Sequence, residues 1–140
     1  MEGRFVTHST EETERLAESF AGSVRDGDCI TFFGGLGAGK TAFVRGLVRG
    51  LGIRAEVSSP TFALVHEYRG TRTVYHYDMY RVSNFDELYS TGFFDELDGE
   101  AVLAIEWSEN IRAALPERRI EVTLASDGAD GRTITIQRYS

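Results

Sequence analysis

Residues 34–41 read Gly34-Gly35-Leu36-Gly37-Ala38-Gly39-Lys40-Thr41, which is the G-x-x-x-x-G-K-S/T spacing of a phosphate-binding loop. Glycines let the backbone turn tightly, so that successive amide N–H groups point inward and form a nest for an anion. Lys40 then brings a positive charge to the outer phosphates, and the Thr41 hydroxyl is placed to bind a metal ion. The stretch therefore predicts binding of a nucleoside triphosphate with Mg²⁺.

The flanking sequence has the context that such a loop requires. Residues 29–33 form an apolar run typical of a buried strand, and residues 41–48 begin a helical pattern. The loop would then lie at a helix N-terminus, where unpaired amides and the helix dipole favour anions. These features predict an α/β fold of the P-loop NTPase class, in which helices flank a mixed central β-sheet with antiparallel hairpins.

The remaining elements are consistent with one domain over residues 1–140. Ser9 and Glu12 form a capping-box pattern that predicts the start of a first helix. A short polar link containing Gly70 predicts a hairpin between two β-rich runs. The predicted strands are residues 4–8, 29–33, 62–68, 73–78, 101–106, 119–124 and 133–137, and a late helix is predicted over residues 110–115.

Composition narrows the function further. The net charge of −7 and the isoelectric point near 5.0 argue against a protein that binds nucleic acid by itself, because such binding needs a basic surface. Cys29 is the only cysteine, so disulfides and cysteine-based metal sites are excluded. No run approaches 18 apolar residues. These features predict a cytoplasmic protein.

Two carboxylates compete for a role beside the metal ion. Glu106 ends the apolar run 101–105, which predicts a strand covered on both faces, and it would emerge at the carboxyl edge of the sheet. Asp78 ends the run 73–77, which we predict to be a more exposed hairpin strand. We therefore assign the metal role to Glu106 and a catalytic or water-orienting role to Asp78. His66 and His76 are interpreted as strand side chains rather than metal ligands, because no carboxylate or cysteine spacing accompanies them.

Two further residues are candidates for the site. Thr61 follows Ser59-Pro60 between the second helix and the hairpin, where phosphate-loop proteins often carry a mobile switch segment. Its hydroxyl could approach the metal ion or the γ-phosphate. Trp107 directly follows Glu106, and its ring could stack on a base or a partner or lie in the core.

Missing motifs leave three functional alternatives open. No Asn-Lys-x-Asp segment is present, which counts against a Ras-type GTPase, and no arginine-rich lid insert is present, although Arg69, Arg72 and Arg81 could form a minimal lid. The alternatives are an ATPase, a small-molecule kinase of the P-loop class, and a docking module that ATP controls.

Several segments together resemble the TsaE (YjeE-like) family, small bacterial ATPases of tRNA threonylcarbamoyladenosine synthesis. The motifs occur in the family's order and spacing over nearly the whole chain. They are Glu11-Glu12-Thr13, the loop 36–41, Ser59-Pro60-Thr61-Phe62 leading to Leu64-Val65-His66-Glu67-Tyr68, Tyr75-His76-Tyr77-Asp78-Met79-Tyr80-Arg81, and Ile105-Glu106-Trp107.

The resemblance implies an ATP- and Mg²⁺-dependent ATPase that works with the TsaD and TsaB proteins and meets tRNA only through that complex. It also implies a role for each matching residue. Thr41 and Glu106 would hold Mg²⁺, Asp78 and Lys40 would support hydrolysis, Thr61 would belong to the switch, Trp107 and residues 35–41 would contact the nucleotide, and Thr10 would border the adenine. Gly35 departs from the family, which usually has an acidic residue there. Any contribution of that acid is therefore missing or comes from another residue.

Overall fold

The computed structural model describes residues 1–35, 37–58, 64–97 and 99–140. Within these residues, seven strands form one sheet with the spatial order β1-β7-β6-β2-β5-β4-β3. The strands are β1 Gly3–Thr7, β2 Cys29–Phe33, β3 Val65–Arg69, β4 Thr73–Asp78, β5 Val102–Glu106, β6 Arg119–Ser126 and β7 Arg132–Tyr139.

The centre of the sheet is parallel and its two sides are antiparallel. β2 pairs in parallel with both β5 and β6, and β4 pairs in parallel with β5. β7 is antiparallel to β6 and β1, and β3 is antiparallel to β4. The predicted mixed sheet and the predicted hairpin between β3 and β4 are therefore present. All four parallel strands direct their carboxyl ends to one edge, where open α/β sheets bind ligands.

Helices cover both faces of this sheet. α1 Thr10–Ala21 and α2 Lys40–Gly50 pack on one face, while α3 Phe85–Ser90, α4 Phe93–Glu96 and a 3-10 helix Ser108–Ala114 pack on the other. β5 contributes to both cores because alternate side chains of a strand point to opposite faces: Ala104 lies in the core under α1 and α2, and Ile105 lies in the other. No helix in these ranges is both long enough and apolar enough to span a membrane.

Several local predictions are confirmed, and two need correction. Ser9 caps α1, since its side chain accepts a hydrogen bond from the Glu12 amide. Each residue of β5 is buried, as a strand covered on both faces requires. β4 is not the exposed strand that was predicted, because it lies between β5 and β3, and His76 and Asp78 on it are buried. The late helix is a 3-10 helix that begins at Ser108, earlier than predicted.

The contact between α1 and α2 depends on a glycine. A Cβ at Gly46 would lie 2.2 Å from the Glu14 carbonyl oxygen and 2.8 Å from the Ala17 Cβ, far inside van der Waals contact. The backbones can approach this closely only because Gly46 has no side chain. Glu14 also pairs with Arg45 and Arg49 across the same interface. This contact holds α2, and therefore the loop that precedes it, against the rest of the domain.

We expect Gly46→Ala to destabilise the protein, although alanine favours helix more than glycine does. The added Cβ would clash with the Glu14 carbonyl oxygen, and the shift of the helices that avoids this clash should lower the free energy of unfolding by about 1–3 kcal/mol, measured by urea denaturation. Gly35→Ala is the matched control, since a Cβ at Gly35 meets no atom within 4 Å. Equal stability of the two variants would show that the helices can separate without cost.

Candidate active site

The phosphate-binding loop connects β2 to α2 at the carboxyl edge of the sheet. Gly34 has φ 147°, and a Cβ there would lie 2.5 Å from the Leu124 carbonyl oxygen, so the loop can leave β2 in this direction only with glycine. Gly39, with φ 97°, immediately precedes α2. The first amides of α2 thus face the cleft, where an anion would be stabilised by unpaired N–H groups and the helix dipole.

The Lys40 ammonium group lies over the loop. Its Nζ donates a hydrogen bond to the Gly34 carbonyl oxygen at 2.6 Å and lies 3.6 Å from the centre of the Trp107 ring. Lys40 is only 5% exposed, and this burial lowers the pKa of its ammonium group, while the negative charges of Glu106, Glu109 and Asp78 act in the opposite direction. The ammonium group is therefore a desolvated cation that lies against the backbone of the loop.

Two predicted metal-binding side chains lie in contact. The Thr41 hydroxyl, in the first turn of α2, donates to Glu106 Oε2 at 3.2 Å. Glu106 is the last residue of β5 and is 4% exposed. Hydroxyl and carboxylate oxygens are the ligands that Mg²⁺ prefers, and Mg²⁺ sites usually combine one or two such groups with phosphate oxygens and water. The residues present thus fit a Mg²⁺ ion bound beside the loop.

Asp78 lies beside this pair because of the strand register. In the parallel pair of β4 and β5, Asp78 aligns with Glu106, and both carboxylates reach the same cleft. Asp78 Oδ1 accepts a hydrogen bond from the Tyr80 amide at 2.9 Å, which fixes the side chain at the end of its strand. Asp78 is 4% exposed.

These groups surround one cleft of about 450 Å³. Its floor is the loop and the first turn of α2. Its wall includes Tyr80 and Trp107, whose ring centres are 4.8 Å apart. Trp107 has a left-handed backbone, with φ 61°, and this brings its ring back over Lys40. The lining residues are 37–42, Asp78, Tyr80, Glu106 and Trp107.

The structure brings together eight of the residues predicted from the sequence, namely Gly37, Ala38, Gly39, Lys40, Thr41, Asp78, Glu106 and Trp107. Two others do not line the cleft: Thr10 is exposed at the start of α1, and Gly35 is exposed within the loop. Leu36 and the segment 59–63, which includes Thr61, lie outside the described residues. The roles assigned to these residues remain predictions.

Sequence reasoning missed three residues near the site. Tyr80 lines the cleft, Glu109 reaches the loop with Oε2 at 3.5 Å from the Gly34 amide, and His76 Nε2 lies 2.5 Å from Glu106 Oε2. A signal for His76 was available. It precedes Asp78 by two residues on a strand, so both side chains must lie on the same face.

Comparison with known proteins identifies the family of this chain. The family model described as "Threonylcarbamoyl adenosine biosynthesis protein TsaE" matches residues 7–134. The tRNA threonylcarbamoyladenosine biosynthesis protein TsaE of Treponema pallidum is 36% identical over 133 residues, which are 95% of this chain and 98% of that protein. The TsaE of Bacillus subtilis is 39% identical over 133 residues, which are 94% of this chain and 83% of that protein.

A solved structure also resembles this fold. The crystal structure of YdiB from Bacillus subtilis superposes with a TM-score of 0.82 at 33% sequence identity, covering 100% of this chain and 87% of that one. This match confirms the predicted P-loop fold with its mixed sheet. The family match, which spans most of the chain, and these relatives show that the chain belongs to the TsaE family of threonylcarbamoyl adenosine biosynthesis proteins.

Proposed function

We propose that this protein is a Mg²⁺-dependent ATPase that acts, together with TsaD and TsaB, in the threonylcarbamoyl modification of the tRNA adenosine next to the anticodon. The observation that carries the ATPase proposal is the contact between Thr41 and Glu106 at 3.2 Å, directly beside a phosphate-binding loop. Family membership supports the tRNA-modification part of the proposal.

The residues divide the work of binding. The amides of the loop and the Lys40 ammonium bind the phosphate chain, and Lys40 must exchange its hydrogen bond to Gly34 for one to a phosphate oxygen. Thr41 and Glu106 would hold Mg²⁺, which would neutralise charge on the phosphates. Trp107 and Tyr80 form an aromatic wall on one side of this cleft.

Asp78 is the group best placed to act on the attacking water. It lies on the strand next to Glu106, and its backbone position is fixed by the sheet. A carboxylate at this point can accept a hydrogen bond from a water molecule and orient its oxygen toward the terminal phosphate. Hydrolysis and metal binding thus use different carboxylates on neighbouring strands.

Lys40→Ala should weaken ATP binding by about 10- to 100-fold, because the variant loses charge-assisted hydrogen bonds to the phosphates. Isothermal titration calorimetry with Mg²⁺ and ATP measures this loss. Arg69→Ala is the matched control, since it also removes one positive charge. Arg69 lies at the turn of the β3–β4 hairpin, at the end away from the cleft. Bound ATP should also protect the Lys40 amine from acylation. Because Lys40 is the only lysine in the sequence, mass spectrometry can measure acylation of this side chain without interference from other lysines. Unchanged affinity and reactivity would contradict the assignment of the site.

Glu106→Gln should weaken ATP binding when Mg²⁺ is present and leave it intact or improved when the metal is chelated. The change removes a metal ligand and also one negative charge from the cleft. Asp78→Asn should instead slow turnover while the Mg²⁺ requirement stays the same. ATP titrations with and without Mg²⁺ compare the two variants. If Asp78→Asn alters the metal requirement and Glu106→Gln does not, the two roles must be exchanged.

An exposed aromatic surface supports an activity that depends on a partner protein. Phe85 and Tyr89 are each 65% exposed, and Phe85 stacks on Phe94 with ring centres 5.2 Å apart. The same two helices carry Asp86, Glu87, Asp95 and Glu96, and the sequence between Arg81 and Arg112 contains no lysine or arginine, so this surface is also acidic. Clustered exposed aromatics are typical of protein-binding surfaces.

We expect the purified chain to hydrolyse ATP slowly and to be stimulated by TsaD and TsaB from the same source. Phosphate release, measured with each partner alone and with both, tests this expectation. If ATP is consumed but its phosphate is recovered on a metabolite and not as free phosphate, the result would favour the kinase alternative. Two of the three arginines of the possible lid are paired away from the cleft, since Arg69 pairs with Glu67 and Arg72 with Asp26. Full tRNA modification in cells that carry Asp78→Asn would favour the docking module.

A further inference from the structure

Glu106 has a second buried partner besides Thr41. His76 Nε2 lies 2.5 Å from Glu106 Oε2, the same oxygen that accepts the Thr41 hydroxyl. His76 is completely buried in β4, and Glu106 is 4% exposed in β5. A buried carboxylate needs hydrogen-bond donors, and the His76 imidazole therefore stabilises the Glu106 carboxylate in its buried position.

The other side of the imidazole is also held. His76 Nδ1 lies 3.1 Å from the Tyr68 hydroxyl, and that hydroxyl lies 3.3 Å from His66 Nδ1 and 3.4 Å from the Ser58 carbonyl oxygen. Tyr68 is on β3 and is 5% exposed. A chain of three side chains thus runs from the edge strand to the metal-binding carboxylate.

The hydrogen bonds of this chain have one consistent direction when the rings are neutral. A carboxylate only accepts, so His76 Nε2 donates to Glu106, and His76 Nδ1 must then accept the Tyr68 O–H. The single hydroxyl proton thus goes to His76 Nδ1 at 3.1 Å and not to the Ser58 carbonyl oxygen at 3.4 Å. The Tyr68 oxygen can in turn accept from His66 Nδ1–H. Burial raises the pKa of the Tyr68 hydroxyl above its ordinary value, so it keeps its proton at neutral pH and remains a donor. Tyr68 thereby selects the His76 tautomer that donates to Glu106.

We propose that His76 is a positioning residue for the metal site, which holds the Glu106 carboxylate beside Thr41, and that Tyr68 holds His76 in the required tautomer and orientation. This inference rests on the proposed role of Glu106 as a Mg²⁺ ligand. Without the imidazole, the free torsions of a glutamate side chain would let the carboxylate leave the position beside Thr41. Partners behind a metal ligand generally act in this way, by fixing its orientation and its charge.

Four variants test the proposal. His76→Leu removes both hydrogen bonds, His76→Gln keeps an N–H donor for Glu106, and Tyr68→Phe removes only the hydroxyl. Tyr77→Phe is the matched control: Tyr77 is a buried tyrosine of β4 that packs in the core on the opposite face of the sheet. Calorimetric ATP titrations at a series of Mg²⁺ concentrations give the Mg²⁺ requirement of each variant, and urea denaturation gives its stability.

His76→Leu should raise the Mg²⁺ concentration for half-maximal ATP binding by about 10- to 100-fold. His76→Gln should restore part of this loss, and Tyr68→Phe should show a smaller rise of about 2- to 10-fold, the value of one hydrogen bond. ATP binding without metal should be unchanged in all of them. A merely structural role would lower stability and leave the Mg²⁺ requirement alone.

Histidine ¹⁵N NMR of the free protein provides a readout that needs neither metal nor turnover. The His76 signals, assigned by their loss in His76→Leu, should show an imidazole protonated at Nε2 and not at Nδ1, and they should change in Tyr68→Phe and not in Tyr77→Phe. The proposal is overturned if the proton of His76 is found on Nδ1, or if the Mg²⁺ requirements of Tyr68→Phe and His76→Leu equal that of Tyr77→Phe. If Glu106→Gln also leaves the Mg²⁺ requirement unchanged, the proposed metal role of Glu106 fails as well.

Discussion

A carboxylate buried at the end of a central strand is the constraint around which the site is organised. Glu106 is almost inaccessible to solvent, and an isolated ionised group in such a place would be strongly disfavoured. The structure compensates for this with a hydroxyl from α2 and an imidazole from β4, and with the Lys40 ammonium group, whose charge interacts with it. The contacts that stabilise the buried carboxylate also place the oxygens of Thr41 and Glu106 beside the phosphate-binding loop.

The sheet topology explains why these groups meet. β2, β5 and β4 are neighbouring parallel strands, so the loop after β2, Glu106 at the end of β5 and Asp78 at the end of β4 reach one edge together. The side chains on one face of β4 alternate with those on the other, and this places His76 and Asp78 on the face of α2. A shift of one residue in the β4 register would turn both of them to the opposite core. The site therefore depends on register as much as on residue identity.

The sequence predicted the parts of the site that are local in the chain. The loop, the strand before it and the helix after it follow from adjacent residues, and Glu106 could be placed from the apolar run that it ends. The burial of β4 could not be predicted, because it results from the insertion of β4 between β3 and β5, a pairing between distant segments. Likewise, His76 and Glu106 are 30 residues apart, so their contact has no local sequence signal. The predicted roles of Thr10 and Gly35 came from family resemblance, and neither residue lines the cleft.

The balance of charge at the cleft explains why the nucleotide should need a metal ion. Lys40 and Arg132, whose guanidinium donates to the Gly37 carbonyl oxygen at 3.0 Å, bring positive charge to the loop, whereas three carboxylates, those of Asp78, Glu106 and Glu109, lie close enough to Lys40 to act on its pKa. A triphosphate would add several more negative charges to this region, and the amides of the loop carry only partial positive charges. Because these repulsions act in a partly desolvated cleft, they are weakly screened. A divalent cation held by Thr41 and Glu106 would offset this excess negative charge, so the electrostatics of the cleft favour nucleotide and cation together over nucleotide alone.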